Sequence, residues 1–302
     1  MIYITSTLMP NSILIKKKND YIIFVKKYQP KVNTIKKIDI LFFIYLFIST
    51  IFVVFTGDTA SQLPILFIHF FVALFVIGLL ILESKKDNSF IKLLRETYPL
   101  IFSGYFYSET VFYNQLLFPN LDPKLEQIEA AIFGMQPSVE FSAYISNTLF
   151  SELMYFGYFS FYVLILAFTL YVFFHKKEYF KQAVFQLSAS LYIFYFLFIL
   201  FPSAGPQFYF SSPENILPEA YFFEHIMRYI QDAAEQPTGA FPSSHVGISV
   251  IILMLSRKNT PVFFKMAWPF VMLVILSTVY IKAHYAIDVI GGLLIAPFIL
   301  YL

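Results

Sequence analysis

From residue 38 to its end the chain repeats one pattern, runs of close to twenty apolar residues separated by short polar or charged connections. A run of about twenty is what an α-helix needs to cross the hydrocarbon of a bilayer, where every backbone polar group must find its partner inside the helix. Such runs occupy 38–55, 64–82, 149–174, 182–201 and 262–280, and shorter ones occupy 246–255 and 285–302. The stretch 98–118 is apolar but interrupted by Pro99, Gly104, Glu109 and Asn114, and it is read as a further crossing because the charge pattern on either side requires one. The expected fold is therefore all-α, a polytopic transmembrane helical bundle of about seven or eight spans. Residues 119–147 and 218–234 alternate polar and apolar character and are read as short interfacial helices on the outer face. With 58% hydrophobic, 21% aromatic and 13% charged residues, the composition lies far outside that of a soluble domain.

Charge orients the bundle. Lys16, Lys17, Lys18, Lys26, Lys27, Lys31, Lys36 and Lys37 all precede the first long run, which predicts a cytoplasmic N-terminus drawn to anionic lipid headgroups, with no nucleic-acid partner. These charges follow a short apolar start instead of preceding it, which argues against a cleavable signal peptide. Basic groups also close the runs at Lys85, Lys176–Lys177 and Arg257–Lys258, so the opposite ends face outward. Three regions follow: a basic cytoplasmic arm at 1–37, an N-terminal transmembrane and interfacial region at 38–148, and a catalytic transmembrane region at 149–302. Without cysteine the chain has no disulfide, thiolate metal site or cysteine nucleophile. Membrane lipids are the expected surroundings, and the sequence sets no oligomeric state.

Two polar stretches fall at the same predicted outer interface. Gln236-Pro-Thr-Gly-Ala-Phe-Pro-Ser-Ser-His245 runs into an apolar helix, with Pro242 placed as its first residue and His245 in its first turn. Free N–H groups at Ser243 and Ser244, with the helix dipole, make an anion site there. The second stretch is Tyr280-Ile-Lys-Ala-His284-Tyr-Ala-Ile-Asp288. His284 and Asp288 are four apart, so on a helix they share a face and the carboxylate can hold one imidazole nitrogen. Taken singly, each group has a plainer reading: His245 as an interfacial cap, His284 with Asp288 as a structural hydrogen bond, or the three together as a metal site.

The motifs Pro242-Ser-Ser-His245 and Ser277-Thr278, five residues, His284, three residues, Asp288 resemble the second and third phosphate-site motifs of the type 2 phosphatidic acid phosphatase superfamily, which also includes vanadium haloperoxidases. The likeness covers about the last hundred residues. It departs from the family in two places. Thr278 stands where the third motif has an arginine, and the lysine-plus-Arg-Pro first motif is absent, Gln207 in Phe201–Gln207 standing where its cation is expected. In both the missing arginine and the Phe133-Gly-Met-Gln-Pro-Ser138 run the chain resembles the inositol phosphorylceramide synthase branch.

The resemblance implies a six-helix-type phosphatase core acting on a phospholipid or isoprenoid phosphate without cofactor or metal. His284 would be the nucleophile forming a phosphohistidine, Asp288 its orienting carboxylate, and His245 the acid that protonates the departing oxygen. Ser243, Ser244, Gly239 and Gln207 would hold the phosphoryl oxygens. Lys282, one helical turn after Thr278, is read as a replacement for the missing arginine. Water as acceptor makes a lipid phosphate phosphatase acting at the extracytoplasmic interface; a polyol or lipid hydroxyl makes a phosphotransferase. A non-enzymatic lipid-binding or transport protein is the reading from another class. His69, His175 and His225, like Glu109, Asp122, Asp232 and Glu235, are read as scaffold or solvated surface, and Gly291-Gly292 as a helix-packing notch.

Overall fold

The computed structural model describes residues 35–57, 59–85 and 88–301, together with the backbone of 12–16 and 22–26. Most of the basic arm, including Lys17, Lys18, Lys27 and Lys31, lies outside the described residues. Within the arm an antiparallel pair, β1 (Ser12–Lys16) and β2 (Ile22–Lys26), joins Ser12 to Lys26 and Lys16 to Ile22. Every regular element described beyond it is helical.

Three helices open the bundle: α1 (Lys37–Phe55), α2 (Thr59–Lys85) and α3 (Ser89–Glu109). The second half contributes α6 (Thr148–His175), α7 (Lys177–Leu200), α10 (Ser244–Asn259), α11 (Pro261–Tyr280) and α12 (Ala286–Tyr301). Short helices lie between them: α4 (Asp122–Phe133), α5 (Pro137–Tyr144), α8 (Pro206–Tyr209) and α9 (Phe222–Ala234). Among the described residues five helices, α1, α2, α6, α7 and α11, are long and apolar enough to cross a membrane. The all-α bundle expected from hydropathy is what the chain forms.

Local signals set the helix ends. Asn88 and Asn147 each accept two first-turn N–H groups, at 2.8 and 3.2 Å for α3 and 3.0 and 3.2 Å for α6. Gly134, at φ 70°, closes α4 in the left-handed conformation a C-terminal cap requires. The third helix is displaced from expectation: it spans 89–109, not 98–118. Hydropathy missed its first turns because they carry Arg95 and Glu96, yet both are buried. Arg95 is paired with Asp39 and Glu83, and Lys36 donates to Glu83 at 3.0 Å and Glu96 at 2.7 Å. Charges that satisfy one another can enter a helix that an apolar window would exclude.

One apolar cluster runs from Ile38 and Phe42 through Phe106, Phe168 and Phe194 to Ile252 and Ile299, so α1–α3 share a core with the C-terminal helices. The outward face of α2 presents Phe67, Phe70, Phe71 and Phe75, each exposed, as a lipid-facing helix does. The charged cluster of Lys36, Asp39, Glu83 and Arg95 marks one end of the bundle. The other end gathers the starts of α6, α10 and α12 with the finishes of α3, α7 and α11.

Candidate active site

At that second end the loop before α10 meets the turn between α11 and α12. The α10 helix begins two residues later than expected, at Ser244, with Ser243 as its cap: Ser243 Oγ accepts the N–H of Val246 at 3.3 Å. Pro242 precedes the cap and is not the first helical residue. His245 is therefore in the first turn. Its ring stacks on Tyr158 of α6, centroids 4.7 Å apart, and packs on Phe161 at 4.3 Å. Aromatic walls on this side fix the imidazole plane and keep the ring half-buried.

His284 lies in the turn after α11 and is buried. Its own N–H donates to the Thr278 carbonyl at 3.0 Å, and its Nδ1 stands 2.8 Å from the Ala240 carbonyl. A carbonyl only accepts, so Nδ1 carries the proton and Nε2 is left with a lone pair. That lone pair faces His245 Nδ1 at 3.1 Å, with the ring centroids 5.3 Å apart. Burial lowers the His284 pKa from 6.5 to about 4, so its imidazole is neutral at physiological pH. A neutral imidazole with a directed lone pair opposite a second imidazole is the arrangement that attack on phosphorus requires.

Asp288 is buried in the first turn of α12, where its Oδ2 accepts the N–H of Tyr285 at 2.7 Å and lies 3.5 Å from His284 Nδ1. The expected histidine–carboxylate pair is present, but the nearer acceptor is the Ala240 backbone. The carbonyl sets the tautomer, and the Asp288 carboxyl group lies beside it, placed to meet positive charge that develops on the ring.

The phosphate cradle differs more from expectation. Gly239, at φ 75°, lines the cleft, and a side chain there would meet Phe198 at 2.7 Å. Gln207 also lines it, with Nε2 donating to Glu235 Oε2 at 2.7 Å. Ser244 lies beside His245 on a neighbouring apolar cavity. Ser243 is completely buried; its hydroxyl caps α10 and its N–H donates to the Asp288 carbonyl at 3.0 Å. Its O–H remains free to donate, but Ser243 is not among the described residues that line the cleft. Lys282 is also corrected. α11 ends at Tyr280, Lys282 takes φ 60° outside the helix, and its buried ammonium donates to the carbonyls of Ser138 and Val139 at 3.2 and 3.3 Å. It ties α5 to the turn instead of facing the histidines, so the missing arginine is not replaced from this position. Burial also lowers the pKa of this ammonium.

Glu235, read from the sequence as scaffold or solvated surface, and Tyr107, which the sequence did not single out, both line the cleft. Glu235 is buried, accepting from Tyr158 Oη at 2.7 Å as well as from Gln207. Tyr107 of α3 reaches the same wall, donating to the Thr238 carbonyl at 3.4 Å. No spacing rule marks either, since Tyr107 comes from α3 and Glu235 from the residue that follows α9. None of the described residues lining the cleft is lysine or arginine. No three histidine, aspartate or glutamate side chains converge as a metal site among the described residues.

The family profile of the PAP2 superfamily matches residues 126–302. The chain belongs to that superfamily. The match takes in α5 to α12 and all of α4 after its first turn, and so both histidines. A PA-phosphatase related-family protein of Dictyostelium discoideum is 26% identical over 124 residues, a stretch covering 40% of this chain and 22% of that relative. The chain thus spans about a fifth of that relative's length. No solved structure matches it.

Proposed function

We propose that this PAP2-superfamily protein is an integral-membrane lipid phosphoesterase that works through a phosphohistidine on His284, at the extracytoplasmic face. The observation that carries this is the approach of His284 Nε2 to His245 Nδ1 at 3.1 Å, with His284 Nδ1 held by the Ala240 carbonyl. The rings part to admit a phosphoryl group between them. Nε2 then forms the N–P bond as the P–O bond to the lipid alkoxide breaks, and the His245 proton passes to that oxygen. General-acid help of this kind is worth about two to four orders of magnitude. In the second step an acceptor oxygen attacks phosphorus, His245 takes its proton, and the N–P bond breaks.

A lipid substrate is supported by the cavity that shares His245, Glu235 and Tyr107 with the cleft. Its other walls are apolar surfaces of α3, α6 and α7, such as Phe161, Ile165 and Leu191, suited to an alkyl chain. The basic termini at Lys176–Lys177 and Arg257–Lys258 lie at the far ends of the helices from the histidines, which by the positive-inside tendency supports an outward site.

Water as acceptor gives a phosphatase. Transfer to another hydroxyl, as in the inositol phosphorylceramide synthase branch, is the second reading, and one observation favours it. With no cation in its lining and the Glu235 carboxylate present, the cleft suits a phosphodiester bearing one charge better than a monoester bearing two. A polar cavity lined by Asn215, Arg228, Gln231 and Asp232 adjoins at Gln207 and has room for a hydrophilic group.

The test is trapping of labelled phosphorus. Purified protein mixed with 32P-phosphatidate or 32P-phosphatidylinositol in detergent should acquire acid-labile label that is absent from His284→Ala. Label of equal amount in His284→Ala, or none in wild type with either lipid, sinks the proposal. Product analysis with and without added inositol separates hydrolysis from transfer.

A further inference from the structure

The outer-face helix α4 carries Asp122, Glu126 and Glu129 at the i, i+4, i+7 spacing of one helical face. Asp122 and Glu129 are completely buried, unusual for carboxylates without a cationic partner among the described residues. Each is turned onto backbone N–H groups of a different segment of the site. Asp122 accepts from Ala204 at 2.7 Å and from Gly205 at 2.9 Å, one N–H to each oxygen. Glu129 Oε1 accepts from Ile287 at 3.1 Å, in the first turn of α12.

The first of these grips continues to the nucleophile. Ser203, next to the residues Asp122 holds, accepts the Ala240 N–H on its carbonyl at 3.2 Å and the Phe241 N–H on its hydroxyl at 2.7 Å. Ala240 in turn offers the carbonyl that fixes His284 Nδ1 at 2.8 Å. Gly205 is seated so tightly that a Cβ there would stand 2.9 Å from the Ala283 carbonyl oxygen, beside His284. The second grip sets the start of α12, whose first turn places Asp288 3.5 Å from the same nitrogen. Both acceptors around His284 Nδ1 are thus held by one helix, and Asp122 itself lies just outside the segment matched to the superfamily.

We infer that α4 is a positioning clamp for the nucleophile: Asp122 and Glu129 act through the backbone they hold to place the Ala240 carbonyl and Asp288 around His284. Neither touches the cleft, so the clamp governs the phosphorylation step and not substrate affinity. The inference rests on the phosphohistidine reading, and the two fail differently. Misplacement by about 1 Å costs a reaction of this kind about a hundredfold.

In single-turnover labelling with 32P-phosphatidate or 32P-phosphatidylinositol, whichever labels wild type, Asp122→Asn should label His284 about a hundredfold more slowly, with the lipid concentration for half-maximal rate changed by less than about twofold. The amide cannot accept on both sides, whereas one oxygen suffices for Ile287. Glu129→Gln should therefore recover most of the rate that Glu129→Ala loses. Should Asp122→Asn not accumulate, Ser203→Ala breaks the same chain at the Phe241 N–H and decides instead. Wild-type labelling rates in Asp122→Asn or Ser203→Ala, an effect confined to half-saturation, or Glu129→Gln as slow as Glu129→Ala would each overturn the clamp. Absence of label in wild type would overturn the phosphohistidine itself.

Discussion

Replacing Asp288 by asparagine separates two roles that a histidine–carboxylate pair usually combines. In a serine-hydrolase triad the same exchange costs about 10⁴ in rate, because the carboxylate alone fixes the tautomer. Here the Ala240 carbonyl, 2.8 Å from His284 Nδ1, keeps the proton on that nitrogen whether or not position 288 is charged. What Asp288→Asn removes is the attraction between the carboxylate and the positive charge that develops on the ring. At the observed 3.5 Å and an effective dielectric of about 20, a full charge would gain about 5 kcal/mol, and a half-developed one about half of that. The expected fall in the rate of His284 phosphorylation is then between about 50-fold and about 3,000-fold. Rapid-quench labelling gives the rate, and nitrogen-15 shifts of His284 report the tautomer. A loss of 10⁴ or more with the proton moved to Nε2 would show that Asp288 sets the tautomer, and a loss under tenfold would show that it stabilises no charge. Either result refutes the division of labour read from the two distances.

Further outcomes follow from neighbouring contacts. Lys282→Met should lower stability by about 1–3 kcal/mol in thermal unfolding, because the Ser138 and Val139 carbonyls lose their donor, while half-saturation by lipid stays unchanged. Gly292→Ala should cost about 1–3 kcal/mol and slow turnover, since the new Cβ would stand 2.5 Å from the Ser243 carbonyl oxygen and drive α12 from α10; Gly78→Ala, with nothing within 4 Å, is the silent control. His284 and Glu129 oppose one another in pH dependence. The His284 pKa, lowered by burial to about 4, gives stability that is complete above about pH 6.5 and lost as pH falls through 4. The Glu129 pKa, raised by burial to about 7, gives stability complete below about pH 4.5 and lost as pH rises through 7. Melting temperatures across pH 4–8 should show the alkaline loss reduced in Glu129→Gln, and an unchanged profile would count against Glu129 being buried as an acid.

Much of the bundle was legible because a membrane imposes a length and a polarity on each span, and both are local properties. The two histidines were legible for a related reason: charge bias alone put the start of α10 and the end of α11 at one interface. The third helix was misplaced because a hydropathy window scores Arg95 and Glu96 as solvated, and their partners Asp39 and Lys36 lie more than fifty residues away.

What the sequence determined by itself was the kind of fold and the grouping of His245, His284 and Asp288 as residues that belong together. The tertiary structure alone decided which atoms face which. It gave the tautomer of His284 to a backbone carbonyl, turned Lys282 away onto α5, set Ser243 as a cap, and brought Glu235 and Tyr107 to the cleft and the α4 carboxylates to the backbone behind it. The physical reason is range: helix formation and burial depth follow from neighbours within a few turns, whereas a hydrogen bond of 2.8 Å between residues 240 and 284 depends on how every helix between them packs.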